Sequence, residues 1–286
     1  MRLDSHQHYW HYDPVLYPWI DEKKAILKRD YLPSDLEPLL ARTGFDGTIA
    51  VQACQSISDT VFLLQLADHH DSVKGVVGWV DLCSDRVGDE LQRFAPHPKL
   101  VGVRHIVHDE PDDDFMLRAD FRRGISRLRE FDLTYDLLLF PRHIARAVRL
   151  VEEFPEQPFI LDHIAKPFIR DGEFSPWRED LRTLAAFPNV TCKLSGLVTE
   201  ARWDAWRPVD IHPYLDVVVE AFGPSRLMIG SDWPVCLLAG DYGRVMDVVV
   251  NYVERLSEDE RHGILGENAA QVYIGPVHSG VRQPSA

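Results

Sequence analysis

The sequence predicts a single (β/α)8 barrel, and three observations lead there. Eight short apolar runs, rich in Val, Ile, Leu and aromatic residues, recur along the 286 residues. A polar stretch with helical periodicity follows each run, and no Gly/Ser-rich linker or composition shift divides the chain. The turn after the first run reads SHQHYW, and neither GxGxxG nor GxxxxGK occurs anywhere, which disfavours an open, doubly wound sheet with a phosphate loop. One barrel of about 250 residues accounts for nearly the whole length. Residues 1–275 are therefore expected to form the barrel, and 276–286, PVHSGVRQPSA, a loosely held tail with few apolar side chains.

The elements alternate in order. A strand at Arg2–His8 is followed by a helix at Ser34–Thr43, then Gly47–Ala53 by Ser58–His70, Lys74–Leu82 by Arg86–Ala95, and Leu100–His108 by Ala119–Phe131. The second half repeats the pattern with Thr134–Phe140 and Arg142–Phe154, Phe159–His163 and Trp177–Phe187, Val190–Leu194 and Val209–Phe222, and Arg226–Ser231 and Arg244–Leu256. In Arg142–Phe154, residues Ile144, Ala147, Val148, Val151 and Phe154 fall on one helical face, the stripe a crossover helix lays on a sheet. Val245, Val248, Val249, Tyr252 and Val253 do the same in the last helix.

Composition narrows the function. Lys and Arg number 31 against 45 Asp and Glu, a net charge of −14, which opposes binding to nucleic acid or to an anionic membrane surface. The N-terminus has no basic segment leading into an apolar one, and no apolar run reaches the roughly 18 residues of a membrane span, so a cytoplasmic protein is expected. Cys54, Cys83, Cys192 and Cys236 are widely spaced and read as free, mostly buried thiols. No oligomeric interface is read from the sequence.

Barrel enzymes build their sites at the C-terminal ends of the strands. The first such end carries Asp4, His6 and His8 at alternate positions, which a regular strand directs to one face, where two imidazoles can share a metal ion or a polarised oxygen. The sixth ends in Asp162 and His163, with Lys166 close by, and the eighth in Gly-Ser-Asp232 followed by Trp233. Three strand ends that each supply a nitrogen or oxygen ligand point to an active site. Arg104 and His105 take opposite faces of the fourth strand, so if Arg104 faces the site His105 faces the helices. The acidic stretch Asp109–Asp114 reads as a solvated loop.

HxH on strand one, His on strand six and Asp on strand eight resemble the amidohydrolase superfamily. Within it, DSHQHYW, VGVRHIVHDEPDD, LDHIAKP, KLSGL, GSDWPV and ENAAQVY resemble the amidohydrolase-related family that contains L-fuconolactonases and L-rhamnonolactonases, from about Arg2 to Tyr273. The resemblance implies a lactonase with Asp232 as general base and His6, His8 and His163 polarising the lactone carbonyl, directly or through a metal. Two-metal members of the superfamily also use a carboxylated Lys or Glu on strand four and a His on strand five. Here strand four offers Arg104, strand five ends without histidine, and His143 falls where the next helix begins. The resemblance thus implies at most one divalent ion, Zn²⁺, on His6, His8, His163 and Asp232, in a family that includes members needing none.

Arg104, Lys166, Lys193, Trp233 and Trp79 are the expected substrate contacts, with Ser195, Asp81 and Gln52 behind them. A dicarboxylate lactone would call for several convergent arginines. One is present, so a neutral sugar lactone is expected, and the resemblance alone places L-fucono-1,4-lactone first and L-rhamnono-lactone second. A zinc-dependent decarboxylase on the same scaffold is the alternative, disfavoured by the absent strand-five histidine. A carbohydrate-binding barrel without catalysis is disfavoured by Asp232, since binding needs no base. Arg104, Lys166 and Lys193 lead to the expectation of a locally cationic mouth.

Overall fold

In the computed structural model, which describes residues 1–275, eight parallel strands stand in one sheet in the order of the chain. They are β1 (Leu3–Gln7), β2 (Gly47–Val51), β3 (Val73–Gly78), β4 (Leu100–His105), β5 (Thr134–Leu137), β6 (Phe159–Leu161), β7 (Val190–Leu194) and β8 (Leu227–Ile229). The seam between β8 and β1 is closed by the segment just after β8. Gln7 pairs in parallel with Trp233, the amide of Asp232 donates to the carbonyl of His6 (2.8 Å), and that of His8 donates to Trp233 (2.6 Å). The expected tail at 276–286 lies outside the described residues.

The helices between and after the strands are α1 (Pro33–Thr43), α2 (Ile57–His69), α3 (Val87–Phe94), α4 (Ala119–Leu128), α5 (Ile144–Glu153), α6 (Trp177–Ala185), α7 (Pro208–Phe222) and α8 (Tyr242–Val253). Two short ones, α9 (Glu258–His262) and α10 (Asn268–Tyr273), follow. On α5, Ile144, Ala147 and Val151 of the predicted stripe are buried, together with Leu150, while Val148 and Phe154 are half-buried against the same core. Helix starts are fixed by side chains: Ser56 accepts from the amide of Asp59, Asp241 from that of Arg244 and Ser257 from that of Glu260.

The core has two layers. One lies between sheet and helices. The other, inside the barrel, consists of Leu3, Ile49, Val51, Val77, Val101, Ile160 and Met228, into which α10 inserts Ala269 and Tyr273. Each such aliphatic side chain contributes about 1.5–3 kcal/mol by leaving water. On β2, Ile49 and Val51 join the interior while Ala50 joins the outer layer, the alternation a pleated strand requires.

The predicted strands overrun the observed ones. Lys74–Leu82 ends at Gly78, Leu100–His108 at His105 and Thr134–Phe140 at Leu137. The apolar residues beyond these ends, among them Val80, Leu82, Leu138 and Leu139, are buried all the same, under the loops that surround the mouth. All four cysteines are free. Among the described residues no helix is long and apolar enough to cross a membrane.

Candidate active site

Between Asp4 and Gln7 the pairing of β1 with β2 slips, so that a bulge interrupts the strand's alternation. Leu3 therefore points into the barrel and His6 does too, whereas Asp4 turns to the helix layer. There it accepts hydrogen bonds from the amide of Ser231 (2.8 Å) and the hydroxyl of Tyr242 on α8 (3.2 Å). The expectation that Asp4 shares a face with His6 and His8 is corrected by this bulge. Asp4 ties β1 to the segment after β8, and burial pushes its carboxyl up to about 6.

The other predicted groups converge. His6 Nε2 lies 3.3 Å from His8 Nε2. Asp232 Oδ1 is 3.3 Å from His8 Nε2 and 3.9 Å from Nε2 of both His6 and His163. Outer partners fix each ring: His8 Nδ1 donates to the carbonyl of Val51 (2.8 Å), and His163 Nδ1 pairs with Ser195 Oγ (2.9 Å), so both turn Nε2 toward Asp232. Burial holds His6 and His163 well below the usual imidazole range, leaving both neutral. Burial alone would raise the carboxyl of Asp232. His163, the His8 contact and Lys166 outweigh it and keep Asp232 below the ordinary carboxylate value.

The backbone is strained at two residues of this cluster. Asp232 has φ 58°, and His163, Ile164, Ala165 and Lys166 form a left-handed turn with φ between 49° and 60°. Each such residue costs about 1–2 kcal/mol. The turn is held by the Lys166 amide bound to the His163 carbonyl (2.8 Å), by Trp177 Nε1 donating to the Ile164 carbonyl (2.8 Å), and by full burial of Ile164 and Ala165. Gly196, itself at φ 60°, lies so close to His163 that a Cβ there would stand 2.6 Å from Nδ1.

Beneath His6 lies a buried network of opposite charges. Lys193 Nζ contacts Asp136 Oδ2 (2.5 Å), Asp162 Oδ1 (3.0 Å) and His6 Nδ1 (3.2 Å). Arg104 bridges Asp162 Oδ2 (3.0 Å) and His6 Nε2 (3.3 Å) through one nitrogen and the carbonyl of Gln52 (2.5 Å) through another. Tyr273 of α10 donates to Asp136 from below (2.8 Å). Burial opposes the charge on Asp162, but Lys193, His6 and Arg104 hold its carboxyl well below the usual range. A buried charge requires such partners.

A cavity of about 150 Å³ opens above this set, lined by His8, His163, Asp232, Arg104 and Lys166 of the predicted residues. A larger surface groove of about 370 Å³, between the Ile169–Asp171 turn and α7, contains no histidine and none of this chemistry.

Three expected substrate contacts lie elsewhere. Lys193 is fully buried, its ammonium engaged by Asp136, Asp162 and His6. Trp233 packs edge-on against Tyr9 and Tyr31, and Trp79 donates to His105 on the helix side of β4. His105 indeed faces the helices, stacked on Phe115 and bound to Glu110 (2.6 Å). His143 is buried against Asp113, outside the site. Nor is the mouth a cationic centre. Asp136 and Asp162 neutralise Lys193 and Arg104, and Lys166 pairs with Glu200 at 3.3 Å.

Sequence reasoning passed over Asp136, Trp10, Trp19 and the pairing role of Asp162. A readable signal existed for the acids. Asp136 interrupts the apolar run TYDLLLF and Lys193 interrupts VTCKL, and two opposite charges inside strands of one barrel must meet or stay unsatisfied. Trp10 and Trp19 return to the mouth on an irregular loop, which periodicity does not register.

A profile of the amidohydrolase family matches residues 3–274. The chain belongs to the amidohydrolase family. This amidohydrolase is 42% identical, over 96% of its length and 97% of the relative's, to an L-fucono-1,5-lactonase of Burkholderia multivorans. It is 38% identical to an L-fucono-1,5-lactonase of Burkholderia ambifaria, over 95% of each chain. A crystal structure of an amidohydrolase from Burkholderia multivorans with bound zinc matches it with a TM-score of 0.93 at 42% identity, covering 96% of this chain and all of the other.

The donor set in this amidohydrolase fits a divalent ion. His6, His8 and Asp232 each bring a ligand atom within 4.8 Å of the others. The closest spacings, 3.3 Å, are about the edge of a tetrahedron with zinc bonds of roughly 2.0–2.1 Å. His6 and His163 are held in the neutral form that binding requires.

Proposed function

We propose that this amidohydrolase hydrolyses a sugar lactone to the open aldonic acid, with an L-fucono-lactone as its substrate. One observation carries the reading: a carboxylate, Asp232, facing a small cavity with imidazole nitrogens 3.3–3.9 Å from one of its oxygens. The names of two relatives, at 42% and 38% identity, support the L-fucono substrate and favour the six-membered 1,5-ring over the 1,4-ring expected from sequence alone.

In this reading Asp232 takes a proton from water as the water oxygen bonds to the lactone carbonyl carbon. Charge gathers on the former carbonyl oxygen, where the guanidinium of Arg104, already fixed by Asp162 and Gln52, stabilises it. The bond from carbonyl carbon to ring oxygen then breaks, and Asp232 returns its proton to that oxygen. A departing alkoxide needs only this one proton, so one recycling carboxylate serves both halves. Zinc held by His6, His8, His163 and Asp232 would add Lewis-acid polarisation of the carbonyl.

The test is proton release, read with a pH indicator, from freshly prepared L-fucono-1,5-lactone, L-fucono-1,4-lactone and L-rhamnono-lactone, with chelator and with added zinc. A kcat/KM above about 10⁴ M⁻¹s⁻¹ on an L-fucono-lactone is the expected result. No turnover of any sugar lactone, with release of CO₂ from an aromatic carboxylate instead, would replace this reading with a decarboxylase.

A further inference from the structure

The cavity is not uniform around its rim. On the side formed by the ends of β8, β1 and β2, Val235, Trp10, Trp19 and Ala53 form an apolar stretch of wall beside His8 and Asp232. On the side of β4 to β6 it is lined by Arg104, His108, Asp109, His163 and Lys166, with Ile106 and Leu138 between them. Since the strands follow one another in chain order around the barrel, these are opposite walls. Several polar groups of this wall are anchored by neighbours. His108 stacks flat on Phe140 with ring centres 4.7 Å apart, Arg142 donates to its carbonyl at 3.4 Å, and Lys166 is anchored by Glu200. Burial and the nearby Lys166 and Arg104 depress His108 to about 2, so it meets a ligand as a neutral imidazole suited to a hydroxyl.

On the opposite wall Trp10 is fully buried and belongs to the core, its indole donating to the carbonyl of Arg29. Trp19 is different. It comes from the irregular segment between β1 and α1, stands edge-on to Trp10 at 6.2 Å, and is held by Lys24, whose ammonium donates to the Trp19 carbonyl (2.7 Å) and lies 5.7 Å from its ring. It is partly buried and brings an indole to the cavity without a structural duty comparable to that of Trp10.

We infer that Trp19 is a specificity-determining residue: with Val235 it forms an apolar subsite for the methyl end of a 6-deoxy sugar lactone, while the hydroxyls project toward His108 and Lys166. This rests on the lactone reading above. The chemistry of the ring supports it. In a six-membered lactone the carbon bearing the methyl is bonded to the ring oxygen, so the methyl lies beside the reacting ester, near Asp232 and His8, which stand on the same side of the barrel as Val235 and Trp19. The three ring hydroxyls lie on the remaining carbons. An apolar wall rejects an added hydroxyl only moderately, by up to about 100-fold.

The pair that reads this out is L-fucono-1,5-lactone and L-galactono-1,5-lactone, which differ by one hydroxyl at C6. The ratio of their kcat/KM values in the native protein is expected at about 10–100. In Trp19→Ala it should fall to within about threefold of unity, mainly through loss on the L-fucono substrate, and Trp19→Phe should restore most of it. Val235→Thr, which changes polarity at nearly constant volume, should lower the ratio by itself and serves if Trp19→Ala fails to fold. A native ratio near one, or equal losses on both substrates in Trp19→Ala or Val235→Thr, would overturn the inference. If the native protein turned over neither lactone, the proposed function itself would fall.

Discussion

Beside Asp232 the imidazoles of His6 and His163 are held neutral by burial, so the carboxylate is the one ionised group among them. Asp232→Asn keeps the shape and removes the base. We expect kcat to fall by about 10²–10⁴, with a circular dichroism spectrum that superimposes on the native one. Near-normal kcat would remove Asp232 from the mechanism. Gly196→Ala probes how firmly His163 is aimed. A methyl there must displace the His163 ring and adopt a left-handed backbone, costing about 1–2 kcal/mol for the backbone alone, with a drop in kcat beyond any change in KM. Both follow from steady-state kinetics and urea melts.

At the scale of elements, β5, β6 and β7 are joined inside the barrel by Asp136, Asp162 and Lys193, and α10 joins them through Tyr273. Lys193→Met removes the ammonium shared by Asp136 and Asp162, leaving Asp136 with no cationic partner in the network, and should cost about 3–5 kcal/mol in chemical denaturation, whereas the pair Lys193→Met with Asp136→Leu should recover part of that loss. Equal costs for the single and double variants would show that the network does not act as a unit.

The same elements show where the sequence was readable. Strands were legible because each is buried on both faces and so appears as an apolar run, as in FILDH and RLMIG. Their ends were not, because Leu138 and Leu139 are buried by loops and look no different from strand residues. The HxH, DH and GSD windows pointed to the residues that the fold brings together around Asp232, since polar residues ending apolar runs are conspicuous. The bulge that turns Asp4 away left no mark, because a bulge is a matter of register and not of composition. Lys193 was assigned to the substrate for a related reason: its nearness in sequence to a strand end conceals that its partners, Asp136 and Asp162, lie on β5 and just past β6.

For the molecule as a whole, stability against pH depends on buried groups of opposite tendency. Asp59, nine-tenths buried, accepts hydrogen bonds from the amides of Ala53 and Cys54, yet burial pushes it up to about 7 from 3.8. A carboxyl raised on folding stabilises the protein fully below its unfolded value, and that contribution is lost as pH rises through the folded one, here between about 4 and 7. The shift corresponds to roughly 4 kcal/mol. The neutral, buried His6 and His163 act in the other direction, losing stability as pH falls below their unfolded value of 6.5. Comparison with Asp59→Asn isolates the first effect. Relative to the native protein, the variant should gain stability between pH 5 and pH 8 in denaturant titrations, and parallel curves would contradict the assignment. With a net charge of −14, the chain should also melt higher in 150 mM salt than in 10 mM, as screening relieves surface repulsion.

The left-handed turn after β6 also acts as a gauge of angle. With about three residues per turn, residues three apart project in the same direction, and His163 and Lys166 are three apart, which is why an imidazole and an ammonium line one cavity from a single short segment. One residue inserted between Ala165 and Lys166 would rotate the ammonium by roughly 120°, out of the mouth and away from Glu200. The segment should therefore tolerate exchange of side chains more readily than a change of length, because its phase, and not only its composition, decides which side chains line the cavity.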